Sequence, residues 1–141
     1  MKTLIQGAGV GLLAAIAACA EADGRSGPAA ASRLFEIRTY TAHPGKMEAL
    51  HRRFREHTHR LFVRHGIEPV GYWTVTEGEG AGGTLVFLLA YPGREAREAA
   101  WKAFLADPEW QRAKAESEKD GPLVARVDSR FLSPADYSPL R

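Results

Sequence analysis

PGKMEALHRRFREHTHRLFVRHG, residues 44–66, reads as one amphipathic helix, and the rest of the chain can be placed around it. Met47, Leu50, Phe54 and Leu61 recur at spacings of three, four and seven, which aligns them on one stripe. His57 fills the gap between Phe54 and Leu61, so the face that presses on a core carries an imidazole. Arg52, Arg53, Arg55, Arg60 and Arg64 fall mostly off the stripe and read as its solvated side. Pro44 suits a helix entrance, and Gly66 suits a left-handed stop.

On the N-terminal side of this helix, residues 34–40 (LFEIRTY) alternate strictly and read as a strand. Phe35, Ile37 and Thr39 share one side; Glu36, Arg38 and Tyr40 share the other. On the C-terminal side, residues 70–76 (VGYWTVT) are rich in β-formers and read as a second strand. EGEGAGG at 77–83 can only be a loop or hairpin connection, and it has no helix behind it to cradle phosphate. TLVFLLAY at 84–91 is a continuous apolar run of strand length, as in a central strand buried on both faces. Pro92-Gly93 breaks it. A second helix follows over 94–105, and Asp107-Pro108 restarts a helix with an N-cap and a first-turn proline. Gly121-Pro122 ends that helix, and LVARVDSRFL at 123–132 reads as a fourth strand.

The order is β-α-β-β-α-β, the ferredoxin-like split βαβ arrangement, an α+β class in which right-handed crossovers place the helices on one face of the sheet. Phe35 and Ile37 are expected to face the helices. Glu36, Arg38 and Tyr40 are expected on the open face, beside Arg126, Asp128 and Arg130 of the neighbouring fourth strand. An open face of that kind, partly apolar and patterned with opposite charges, is an uncomfortable monomer surface, so a homodimer that closes two sheets into an α+β barrel is expected.

Residues 1–18 stand apart from this domain. Lys2 supplies a positive start and VGLLAAIAA at 10–18 a short apolar core, too short for a bilayer span, which needs about 20 residues. The segment reads as a secretory signal. Ile16-Ala17-Ala18 precedes Cys19, the sole cysteine, and resembles a bacterial lipobox. Cleavage after Ala18-Cys19-Ala20 is the competing reading. Residues 19–32 read as a flexible tether, 33–133 as the folded domain and 134–141 as a Pro-broken tail. With 19 basic against 17 acidic side chains in 141 residues, the charge is too balanced for a nucleic-acid partner.

FEIRTYT, PGK, HT and FVRHG along the first helix, GYW, LLAYPGREAREAAWKAFLADPEWQ and SRFLSPADYSP together resemble the NIPSNAP family, in order and spacing, from Leu34 to Pro139. The resemblance implies the dimeric α+β barrel fold and a biochemical function that is poorly defined. Together with the signal, it implies a member of the bacterial envelope, periplasmic or attached to the membrane only through a lipid on Cys19.

Three candidate constellations remain. His57 is either a general base or ligand group facing a pocket between helix and sheet, or a packed histidine bonded to a neighbour such as Thr58. Arg38, with Tyr40 and Glu36, either receives an anionic or enolate-like ligand or pairs structurally with Asp128. Trp73, Trp101 and Trp110, with Phe104, either line a pocket for a flat ligand or fill the core. His57, Arg38 and Tyr40 are therefore the catalytic candidates, and Trp73, Trp101 and Phe104 the pocket candidates. No cofactor and no metal site is expected, since the spacing of HExxH, CxxC, Walker and Rossmann motifs is missing. A small apolar or anionic ligand is the expected partner besides a second copy. Two functions follow: a small-molecule-binding or interaction domain, or a cofactor-independent enzyme of monooxygenase or isomerase type.

Overall fold

The computed structural model describes residues 33–141; the segment read as a secretory signal, Cys19 and the expected tether lie outside the described residues. In chain order the elements are β1 (Leu34–Ala42), α1 (Met47–Arg53), a π-helical segment (Phe54–Thr58), α2 (His59–Arg64), β2 (Glu68–Thr74), β3 (Thr84–Tyr91), α3 (Arg94–Ala106), α4 (Pro108–Ser117) and β4 (Val124–Leu132). The strands form one antiparallel sheet in the order β2-β3-β1-β4. This is the expected ferredoxin-like α+β topology.

Leu85, Phe87, Leu89 and Tyr91 of β3 pack with Leu50, Phe54, Leu61 and Phe62 of the first helical layer and with Trp101, Phe104 and Trp110 of the second, so both layers cover the same face. Local chemistry sets the boundaries. Gly66 adopts φ +75° just beyond α2, where a side chain would be strained. Asp107 caps α4, its carboxylate accepting from Glu109 N at 2.7 Å, with Pro108 in the first turn.

The facing of β1 is the reverse of the expectation. Residues directly opposite one another on neighbouring strands point to the same face. Glu36 stands opposite Leu89, Arg38 opposite Phe87 and Tyr40 opposite Leu85, all β3 residues that point at the helices. Glu36, Arg38 and Tyr40 therefore face the helices, and Phe35, Ile37 and Thr39 face away. On β4, Ser129 and Val127 share the helix side with Arg38 and Tyr40, while Arg126, Asp128 and Arg130 lie with Ile37 and Thr39 on the open face. Asp128 consequently pairs with Arg126, at 2.7 Å, and not with Arg38. Strand alternation defines two sides but not which one is inside. Here the four large side chains of β3 and the partners waiting for Glu36 outweigh two apolar residues of β1. Phe35 is not left in water, because residues 133–140 fold back along its end of the open face and leave it 5% exposed.

The organising helix is not uniformly α-helical. Across Phe54–Thr58 the turn widens, and His59 N–H reaches back to Phe54 O. The wider turn rotates the following residues. Thr58, at 1% exposure, takes the inward position, and His57 turns to the flank. The Thr58 hydroxyl donates to Arg53 O at 3.3 Å, serving a carbonyl inside the widened turn. Thr58→Val keeps the shape and removes that bond, so it is expected to lower unfolding stability by about 1 kcal/mol in urea denaturation. An unchanged midpoint would mean that the hydroxyl does not support the π segment.

Candidate functional site

A carboxylate on the inner face of a strand is unfavourable unless every oxygen is served. Glu36 of β1 is 0% exposed. It accepts five hydrogen bonds from four side chains: Arg38 Nη1 at 2.6 Å, Ser129 Oγ at 2.7 Å, Arg97 Nη2 and Nε at 2.9 Å each, and Tyr91 OH at 3.0 Å. Burial alone would raise its pKa. The hydrogen bonds from Arg97, Ser129 and Arg38 and the charge of Arg38 outweigh burial and bring it from 4.5 down to about 2. Tyr91 in turn accepts from Trp101 Nε1 at 2.7 Å. Burial pushes the Tyr91 hydroxyl well above its usual pKa, so it stays a donor to Glu36.

This network pins two arginines against one indole. The Arg38 guanidinium lies 4.4 Å from the Trp101 ring centroid, and that of Arg97 lies 5.3 Å from it. Arg38 Nη2 also reaches Tyr40 OH at 3.5 Å.

A third arginine, this one fully buried, stands on another wall. The Arg53 side chain, 4% exposed, bonds Glu118 Oε1 at 2.8 Å and Ser117 Oγ at 3.3 Å, and its guanidinium lies 5.3 Å from the Trp110 ring. Glu118 is shared with Lys114, at 2.7 Å. Despite burial, the hydrogen bonds from Lys114 and Arg53 hold the Glu118 carboxyl below its usual range. Between these walls lies a cavity of about 560 Å³. Arg38, Tyr40, Trp101 and Phe104, all candidates from the sequence, line it together with Arg53, Phe54, Thr58, Arg97 and Trp110.

Two other candidates lie elsewhere. His57 sits on the helix flank beside Arg52 and Glu116, with Nε2 3.9 Å from Glu56 Oε2, and does not line the cavity. Trp73 of β2 is 54% exposed and closely covers Gly71; a Cβ built on Gly71 would come within 2.6 Å of the indole. Trp73 borders a separate cavity of about 500 Å³ with His51, His59 and Tyr72. Arg53, Arg97 and Thr58 were missed from sequence. Arg53 carried a signal, since it lies three residues after Leu50 and next to Phe54, at the margin of the apolar stripe.

The architecture is that of a ferredoxin-like α+β domain with a ligand-sized cavity between its helices and its sheet. The NIPSNAP family model matches residues 35–139, and the chain belongs to that family. Its fold is shared with an uncharacterised NIPSNAP-like domain protein from Burkholderia xenovorans (24% identity, 77% of this chain and 90% of that chain, TM-score 0.67). A NIPSNAP family protein of unknown function from Agrobacterium tumefaciens is equally similar (24% identity, 79% of this chain and 96% of that chain, TM-score 0.67). No curated protein matches the chain.

Because Glu36 holds its proton less tightly folded than unfolded, its stabilising effect is complete above about pH 4.5 and is lost as pH falls through about 2. The shift corresponds to about 3 kcal/mol. Glu36→Gln removes the charge and leaves the half-buried Arg38 and Arg97 without their shared partner, so it is expected to cost about 3 kcal/mol at neutral pH. Urea unfolding across pH 2 to 7 would show the gap between wild type and variant closing below about pH 4.5. A constant gap would contradict the ionised, buried carboxylate.

Proposed function

We propose that this NIPSNAP domain is the folded part of a homodimeric, envelope-tethered protein that holds a small molecule in the cavity between helices and sheet. The observation that carries the reading is the cavity itself. Its volume of about 560 Å³ suits a small organic ligand, and its walls combine aromatic rings with guanidinium groups. The π-helical segment supports the same reading, because such segments recur at functional sites and its end residues Phe54 and Thr58 both border the cavity.

Binding is favoured over a cofactor-independent oxygenase or isomerase reaction by the chemistry of the lining groups. Glu118 lines the cavity and Glu36 lies behind its arginines, and both are held below the usual carboxyl range, so neither is poised as a base near neutral pH. His57, for which a general base was one of two readings from sequence, lies outside that cavity. Dimerisation is supported by the open sheet face, where Trp73 and partly exposed Ile37, Val86 and Leu88 adjoin the Arg126, Asp128 and Arg130 ladder. The apolar segment at 10–18 followed by Cys19 supports export and lipid attachment.

Native mass spectrometry of the full product, purified gently from its own cells, reads all three features at once. The expected result is a dimer with an acyl mass on Cys19 and a small-molecule adduct. Val127→Trp, which fills the cavity from a half-exposed strand position, is expected to remove the adduct and leave the dimer. A monomer, an unacylated chain or an adduct that survives Val127→Trp would each contradict the corresponding part of the proposal.

A further inference from the structure

The walls of the cavity carry more positive charge than the protein itself balances. Arg38 and Arg97 both pair with the single carboxylate of Glu36. Arg53 and Lys114 both pair with the single carboxylate of Glu118. Among the described residues these four cations, all of which line the cavity, make no other ion pairs, so four positive charges face two negative ones, a surplus of two. Arg126, the remaining lining cation, is matched by Asp128.

Hydrogen bonding repeats the imbalance. Arg53, with its side chain 4% exposed, makes its hydrogen bonds through Nη1 alone, and its Nε is buried without a partner. Arg38 Nε is likewise buried and unpaired. Buried guanidinium groups ordinarily satisfy their donors, and a guanidinium donor held away from water without a partner is unfavourable until an acceptor enters.

The rest of the wall says what kind of anion. Arg38 stacks on Trp101 and Arg53 on Trp110, so both guanidinium groups are held flat against buried indoles. The accessible apolar lining is the half-buried ring of Tyr40 with the exposed side chains of Leu105 and Val127, which a hydrated inorganic ion would leave uncovered. We infer that the ligand of this cavity is an aromatic carboxylic acid, its carboxylate received at the Arg53 guanidinium and its flat body laid against Tyr40, Leu105 and Val127. A carboxylate matches the planar fork of arginine, and a ring matches the Tyr40 face and the apolar lining beside it. The inference rests on the proposal that the cavity binds a small molecule, and names the class of that molecule.

The test compares 2-naphthoate with its neutral isostere 2-naphthamide on the full-length protein, by titration calorimetry in low salt. The acid is expected to bind at least about tenfold more tightly than the amide, and to lose affinity as salt is added. Arg53→Gln is expected to abolish the preference. Because Arg53 also packs in the core, Lys114→Gln provides a second variant at an exposed helix position; it removes one surplus charge and should weaken the acid by about two- to fivefold while sparing the amide. Equal binding of acid and amide, both blocked by Val127→Trp, would overturn the carboxylate inference and leave the binding cavity standing. Binding of both probes that Val127→Trp does not affect, or no binding of either, would count against the cavity reading as well.

Discussion

Glu36 is the constraint on which the rest of this structure depends. A fully buried carboxylate needs donors from several directions, and they come from β1 (Arg38), β3 (Tyr91), α3 (Arg97) and β4 (Ser129). One side chain thus ties three of the four strands to the second helical layer. It also decides which face of β1 turns inward, and with it the positions of Arg38 and Tyr40. The Tyr91 bridge to Trp101 extends the same network into the aromatic core. Isolated ion pairs at a surface contribute little, but a buried carboxylate bonded on both oxygens is costly to break and so specifies one packing.

Much of the fold was legible from residue pattern. The apolar run of β3 was read at its observed bounds, Thr84–Tyr91, because it has no polar position between its ends, although only its helix-facing side is fully buried and Val86 and Leu88 stay partly exposed on the open face. Asp107-Pro108 and Gly66 marked boundaries through chemistry that is local to them. The facing of β1 was not legible. Phe35 and Ile37 outvoted Glu36, Arg38 and Tyr40 on hydrophobicity alone, and the partners that reverse the vote lie 55, 61 and 93 residues along the chain from Glu36. The π segment was equally hidden, since one widened turn changes which residue points inward without changing the apolar spacing on either side. That shift is why Thr58 and not His57 lies at the cavity.

The site was therefore half readable. Arg38, Tyr40, Trp101 and Phe104, singled out by residue type, all line the cavity, although Arg38 and Tyr40 had been expected on the opposite face of the sheet. Arg53 escaped notice because five arginines on one helix read as a solvated face, and only packing against α4 distinguishes the one that is buried. Its burial, its partial pairing and its stacking on Trp110 make the cavity more than a packing defect. Arginines held against buried indoles on two walls, with Tyr40, Leu105 and Val127 between them, form a surface with polarity at defined points and apolar area beside them.

The whole account turns on Glu36 being an ionised group inside the protein and not a solvated one on an open sheet face. The carbon-13 shift of its side-chain carboxyl, followed by NMR as pH is lowered, tests this most directly. A buried, ionised Glu36 gives a midpoint near 2, well below the ordinary 4.5. A midpoint at the ordinary value would place Glu36 in water and contradict both the facing of β1 and the cavity built upon it.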